Sequence, residues 1–242
     1  MNETEDHSPH WARRRFLVTV GVAAAGTVAI SAAAAPAEAT PGDGHPASTD
    51  RPRTMWGRAS SENGWPVVTS NAAPVHRIEG SNATVTLLPG AVATVLLYVA
   101  RRFHYEIDEL THESVIGHLT GRGILAPYES NHLSGTAIAI MPNRFPTDAR
   151  GGLFPHELAV VRDILTECEG VVRWGGDHRG HPKEGHFQID VRPSDARLRQ
   201  LARRVRQRED TPGRGAGSPI DVFSPTRQQA AKALAARQGA AG

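Results

Sequence analysis

The sequence predicts an α+β fold, a small antiparallel sheet with packed helices. Three observations carry that expectation. Thr136–Met141, TAIAIM, is a short run with both faces apolar, the pattern of a strand at the centre of a sheet. VHRIEG, ATVTLL, VVRW and HFQIDV are further short extended runs separated by turn residues. Between them lie segments whose apolar residues recur at helical spacing.

The elements follow in chain order. VHRIEG and ATVTLL read as the first strands. Pro89-Gly90 then breaks the chain ahead of AVATVLLYVARRFHYEI, where Val92, Val95, Leu96, Val99 and Phe103 fall on one helical face. Arg101 and Arg102 sit in its last turn, where cations suit the helix dipole. GRGILAPYESN has the chemistry of a loop and leads to TAIAIM. MPNRFPTDARGGLFP is another loop, and Pro155 opens the helix PHELAVVRDILTEC. Leu158, Val161, Leu165 and Cys168 form that helix's buried stripe, which makes Cys168 a small core residue rather than a nucleophile. Gly170 follows as a C-cap. VVRW and HFQIDV are strands joined by a Gly- and His-bearing loop. DARLRQLARRVRQRE is an amphipathic helix with Leu198, Leu201 and Val205 inward.

The N-terminus reads as an export signal. Arg13-Arg14-Arg15-Phe16-Leu17 precedes an uncharged Ala- and Val-rich run, and Ala37-Glu38-Ala39 offers small residues at a cleavage spacing. The paired arginines resemble a twin-arginine signal. Its strongly apolar part is short for a span, which favours cleavage over a retained anchor. The expected organisation is a signal over 1–39, a flexible linker over 40–64, one domain over 65–210 and a mobile tail over 211–242 with at most one weak helix. The exported product is then extracellular or associated with the cell wall.

The 242 residues carry a net charge of +2 and one cysteine. An internal disulfide framework is excluded. Nucleic-acid binding is disfavoured by the few aromatic residues and the export signal. G-x-S-x-G, Walker and dinucleotide glycine patterns do not occur. Arg197, Arg199, Arg203, Arg204, Arg206 and Arg208 crowd the last amphipathic helix. They form a solvated face, or attract anionic cell-wall polymers in a salt-sensitive way.

The candidate site comes from polar residues near strands that should be apolar. His132 precedes the turn into TAIAIM, and Glu184 and His186 open HFQIDV. If the strand runs through Glu184, its side chain shares a face with His186. Two histidines and an acid would make a zinc site with an open position, and an extra Glu would deprotonate bound water. Scattered surface or core histidines are the plainer alternative, since the chain has twelve.

SNHLSGTAIAI, VVRDILTECEGVVRWGGD and EGHFQID together resemble the zinc D-alanyl-D-alanine carboxypeptidases, a group that includes endolysins cutting L-Ala-D-Glu bonds. The likeness covers residues 90 to 193. Ser130, His132, Gly135 and Ala137 match the family's S-x-H-x-x-G-x-A-x-D, and Glu184 and His186 match its E-x-H. The resemblance implies a carboxypeptidase-like fold, zinc on His132 and His186, Glu184 as general base, and peptidoglycan peptides as substrate. Arg122 and Ser130 become substrate contacts, and Trp174 packs in the core or lines the groove. The family's Asp ligand falls on Ala139, whose methyl binds no metal. A substitute ligand is sought in the GGDH loop, at Asp177 or His178, or at His181. Asp190 lies about 13 Å along an extended strand from His186, too far to share a metal. Two readings therefore stand: a cell-wall metallopeptidase, or a catalytically silent peptide-binding module on the same fold.

Overall fold

The computed structural model describes residues 53–240. The predicted export signal, its cleavage site and the linker up to residue 52 lie outside the described residues. No described helix is long and apolar enough to cross a membrane.

The fold is mixed α+β with small antiparallel sheets. In chain order the elements are β1 (Thr54–Met55), β2 (Val75–Arg77), β3 (Thr84–Thr86), α1 (Ala91–Glu106), β4 (Val115–Ile116), β5 (Gly123–Ile124), β6 (Ala137–Ile140), α2 (Pro155–Glu167), β7 (Val172–Trp174), β8 (His186–Ile189), α3 (Ala196–Glu209) and α4 (Pro225–Ala240). β4, β6, β8 and β7 form the main sheet in that order, and all its pairs are antiparallel. β2 pairs with β3, and β1 with β5.

TAIAIM is the central strand its apolar faces predict: all four residues of β6 are buried, between β4 and β8. The pleat then divides labour. Ile138 and Ile140 of β6 and Phe187 and Ile189 of β8 join the main core, with Val95, Leu96, Val99 and Phe103 of α1 and Leu198, Leu201 and Val205 of α3. The alternate residues, Ala137, Ala139, His186 and Gln188, are buried on the opposite face. That second face is the one the candidate site occupies.

Local chemistry sets the element ends. Pro155 is the first helical residue of α2, and the Glu157 carboxylate accepts the Phe154 N–H at 2.7 Å. Gly135 turns the chain into β6 at φ +65°, and a Cβ there would stand 2.8 Å from the Leu88 nitrogen. Cys168 lies in the core, where burial, with Glu167 beside it, pushes its thiol up to about 12. It is inert at neutral pH.

Two segments and one side chain depart from their sequence reading. Residues 53–64, expected as linker, are built into the fold. β1 pairs with β5, and Ser61 Oγ bonds Ser134 Oγ at 2.9 Å. The Glu62 and Asn63 N–H groups donate to Ser130 Oγ and Asn131 Oδ1 at 2.8 and 3.1 Å. Residues 211–240, expected as a mobile tail with at most one weak helix, do carry a helix, α4, but it is docked: it packs on α2, buries Leu234 and ion-pairs through Arg227. Arg102, expected to face the helix dipole, is fully buried among carboxylates of α1 and α2. Periodicity ranks polar segments as loops. It cannot register that a polar side chain has a buried partner far along the chain.

Candidate functional site

His132 and His186 meet on the second face of the sheet. His132 ends the 3-10 turn Pro127–His132 and His186 opens β8, and their ring centroids lie 5.2 Å apart, edge to face. Both are buried. Each ring has a defined partner. His132 Nδ1 is 2.7 Å from the Gly117 carbonyl, an acceptor only, so Nδ1 carries the proton and Nε2 the lone pair. His186 Nε2 is 3.0 Å from Gln188 Oε1, one strand period away on the same face. With Nε2–H donating to that oxygen, Nδ1 keeps its lone pair, and that buried atom has no hydrogen-bond partner.

Burial, then the nearby Lys183, lowers His132 to about 4. Burial, then His132 and Lys183, lowers His186 well below the ordinary range. Both rings are therefore neutral at pH 7. An unfolded chain takes up these protons near pH 6.5 and the folded one does not, so this stability is present above pH 6.5. It is lost as pH falls towards 4. For His132 the full difference is on the order of 3 kcal/mol. Urea titrations at pH 7.5 and 4.5 are expected to show that loss, and His132→Asn to show a smaller one.

Glu184 does not share the histidines' face. β8 begins at His186, so Glu184 lies in the preceding loop. Its two carboxylate oxygens accept the Gly151 and Gly152 N–H groups at 2.9 and 2.7 Å. Gly185 holds the chain close to β6, since a Cβ there would stand 2.1 Å from the Ile140 oxygen. Glu184 is thus a charge-assisted clamp on the loop before α2. Glu184→Gln turns one acceptor into a donor facing an N–H, and is expected to cost about 1–3 kcal/mol in a denaturant titration.

Ala139 stands directly across from His186 in the β6–β8 register. The position the resemblance assigns to an acidic ligand is therefore beside an imidazole and holds a methyl group. Of the proposed substitutes, Asp177 and His181 are paired elsewhere, while His178 has a buried Nε2 with no hydrogen-bond partner. Asp177 forms a bidentate pair with Arg162, both contacts 2.6 Å. His178 stacks on Tyr128 at 4.2 Å, and the same Tyr128 ring lies 4.8 Å from His186. His181 Nδ1 is 2.9 Å from Asp148 Oδ1. Asp190 is bonded by Arg173 at 3.1 Å. Among the described residues no three His, Cys, Asp or Glu side chains form a metal-holding group. Two lone pairs and a methyl do not fit a catalytic zinc site, which takes three protein ligands.

The expected substrate contacts have structural duties. Arg122 donates to the Trp56 and Arg58 carbonyls at 3.1 and 3.3 Å and so holds the N-terminal segment. Ser130 is fully buried, donating to the Pro127 carbonyl at 2.6 Å and accepting the Glu62 N–H. Trp174 takes its core alternative: it is buried and donates to the Glu184 carbonyl at 2.6 Å, and the Arg162 guanidinium covers its ring. Comparison with family models, characterised proteins and solved structures gives no match.

Beside His132 and Ala139 opens a cavity of about 180 Å³, whose other polar lining is Arg53, Glu129 and Lys183. Lys183 and Glu129 are the residues that sequence reasoning missed. Lys183 directly precedes Glu184, and Glu129 lies in PYESNH, but no motif marks either. A larger cavity of about 300 Å³ lies between α2 and α4, away from the histidines. Its Arg162, Asp163 and Arg227 are all ion-paired within the protein.

Proposed function

We propose that the chain is an exported cell-wall protein that binds peptidoglycan stem peptides without hydrolysing them, on a fold resembling the zinc D-alanyl-D-alanine carboxypeptidases. The observation that carries the reading is the Ala139–His186 pair. It leaves a methyl where the family motif has an acid, beside a buried pair of histidines, His132 and His186. The Glu184 clamp supports it too: both carboxylate oxygens are already taken up by the Gly151 and Gly152 N–H groups. Export rests on the arginine-led N-terminus, and cell-wall residence on the motif resemblance.

The same motifs also favour a second reading, a weak zinc peptidase. Its support is the pair of neutral imidazoles, each with a free lone pair, one of them an orphaned buried nitrogen.

One experiment separates the two. The purified full chain, offered zinc and then desalted, is assayed for metal content, muropeptide binding by calorimetry and cleavage by chromatography. The binding reading expects saturable binding, less than about one-tenth equivalent of zinc and intact muropeptides. Stoichiometric zinc with cleavage would overturn it in favour of the peptidase, and neither binding nor cleavage would defeat both.

A further inference from the structure

We propose that the solvent face of α3 is a docking surface for a flexible phosphodiester polymer, a single chain of phosphates linked by small polyols. The surface shares no residue with the histidine cavity and does not depend on peptide binding there.

Residues 192–214 hold eight arginines against three acids, Asp195, Glu209 and Asp210, a net charge of +5. The whole chain carries +2, so the rest of it is net −3. Positive charge is thus gathered on one helix and its flanks. α3 turns Leu198, Leu201, Ala202 and Val205 into the core. Arg199, Arg203 and Arg206 recur at i, i+4 and i+7 and are all exposed, so they form one line on the outer side. At 1.5 Å per residue that line is about 10 Å long. The neighbouring acids do not answer it. Asp195 pairs with Arg197, and Glu209 with Arg101. Glu169 and Glu167 take Arg204 and Arg208. Among the described residues Arg199 and Arg203 have no ion-pair partner, and Arg206 donates only to the neutral Thr94 Oγ1, at 3.1 Å. Like charges at these spacings repel, so the line weakens the helix a little rather than supporting it.

Three features choose the occupant. A guanidinium fork binds two phosphate oxygens at once. A single line of cations follows a single chain of phosphates. Residues 192–214 contain no aromatic residue and no exposed large apolar side chain. The stacking that holds single-stranded nucleic acid and the apolar face that seats a helix in a bilayer are therefore both missing from this surface. What remains is charge matched along a flexible backbone. For an exported protein such a polymer is an anionic component of the cell wall, and that last step alone rests on the export reading above.

The test titrates the purified full chain with synthetic poly(glycerol phosphate) by calorimetry between about 50 and 200 mM salt. For three phosphates contacted, log affinity is expected to fall with log salt at a slope of about −2, roughly 20-fold over that range. Arg199→Gln, Arg203→Gln and Arg206→Gln in one chain should remove most of the slope and weaken binding by at least about tenfold at the low salt. Gln nearly matches Arg in helix propensity, so α3 is kept, and thermal melts check this. The corresponding Arg→Lys triple variant should keep the slope, and muropeptide binding should be the same in all three chains. Equal polymer binding by the Gln variant and the wild type would overturn the proposal. So would no saturable binding of the polymer at the low salt. Anionic lipid vesicles or duplex DNA bound more than about tenfold tighter than the polymer would make a membrane or a nucleic acid the occupant and overturn it too. Muropeptide binding absent from every chain, beside intact polymer binding, would defeat the peptide-binding reading and leave this surface standing.

Discussion

Arg102→Met is expected to destabilise the fold by about 3–5 kcal/mol, the cost of breaking a buried ion cluster from one side. Arg102 is completely buried on α1. Its guanidinium reaches Asp163 at 2.9 Å and Glu167 at 2.8 Å on α2, and pairs with Glu106 one turn along its own helix. Arg227 of α4 binds the same Asp163 and Glu167 at 2.6 and 2.8 Å, and Tyr98 also donates to Glu167. With Arg102 gone, Glu106 loses its arginine, and Asp163 and Glu167 are left with what Arg227 and Arg208 can supply. At roughly 2–4 °C per kcal/mol for a domain of this size, the melting temperature falls by about 6–20 °C. Adding Asp163→Asn and Glu167→Gln to Arg102→Met should recover part of the loss, because the residual carboxylate repulsion disappears. A loss that the amides do not relieve would assign the effect to packing rather than charge.

Ala139→Asp is expected to create a zinc-dependent gain in stability. Opposed residues on antiparallel strands hold their Cβ atoms about 4.5–5.5 Å apart, so the new carboxylate enters beside His186 and close to His132. Two imidazole lone pairs and one carboxylate are a common zinc set with one position open. Without metal, the variant buries a charge, and Lys183 only partly compensates it. Its melting temperature should therefore drop by several degrees. Zinc at about 100 times its dissociation constant would return roughly 2.7 kcal/mol, read as an upward shift in the melt. Combining Ala139→Asp with Lys183→Met should tighten zinc further by removing the ammonium's repulsion. A melt insensitive to zinc in both variants would mean that the histidine lone pairs do not converge on one point.

The two variants probe parts of the molecule that differed in legibility. The helix carrying Arg102 was plain from the spacing of Val92, Val95, Leu96, Val99 and Phe103, all of which are buried. The role of Arg102 was not, because its partners Asp163 and Glu167 lie more than sixty residues away. His132 and His186 could be picked out as a pair, and they do meet. Glu184 could be picked out with them, yet its carboxylate turns to Gly151 and Gly152. The difference is the start of β8: a strand beginning at His186 leaves the residue two positions earlier free of the pleat. Nothing in the spacing of Glu184 and His186 reveals where strand pairing starts.

The sequence alone determined α1, α2, α3 and the strands β2, β3, β6, β7 and β8, the burial of both faces of TAIAIM and the missing acid at Ala139. These follow from local periodicity and from the identity of single residues, and need no long-range contact. Only the tertiary structure decided that residues 53–64 bond to the turn carrying Ser130, Asn131 and Ser134, that α4 docks through Arg227, and that Lys183 rather than Glu184 lines the cavity beside His132. Each of these depends on a polar group finding a partner distant in the chain. Such pairings are satisfied in three dimensions, by register and packing, and leave no period in one.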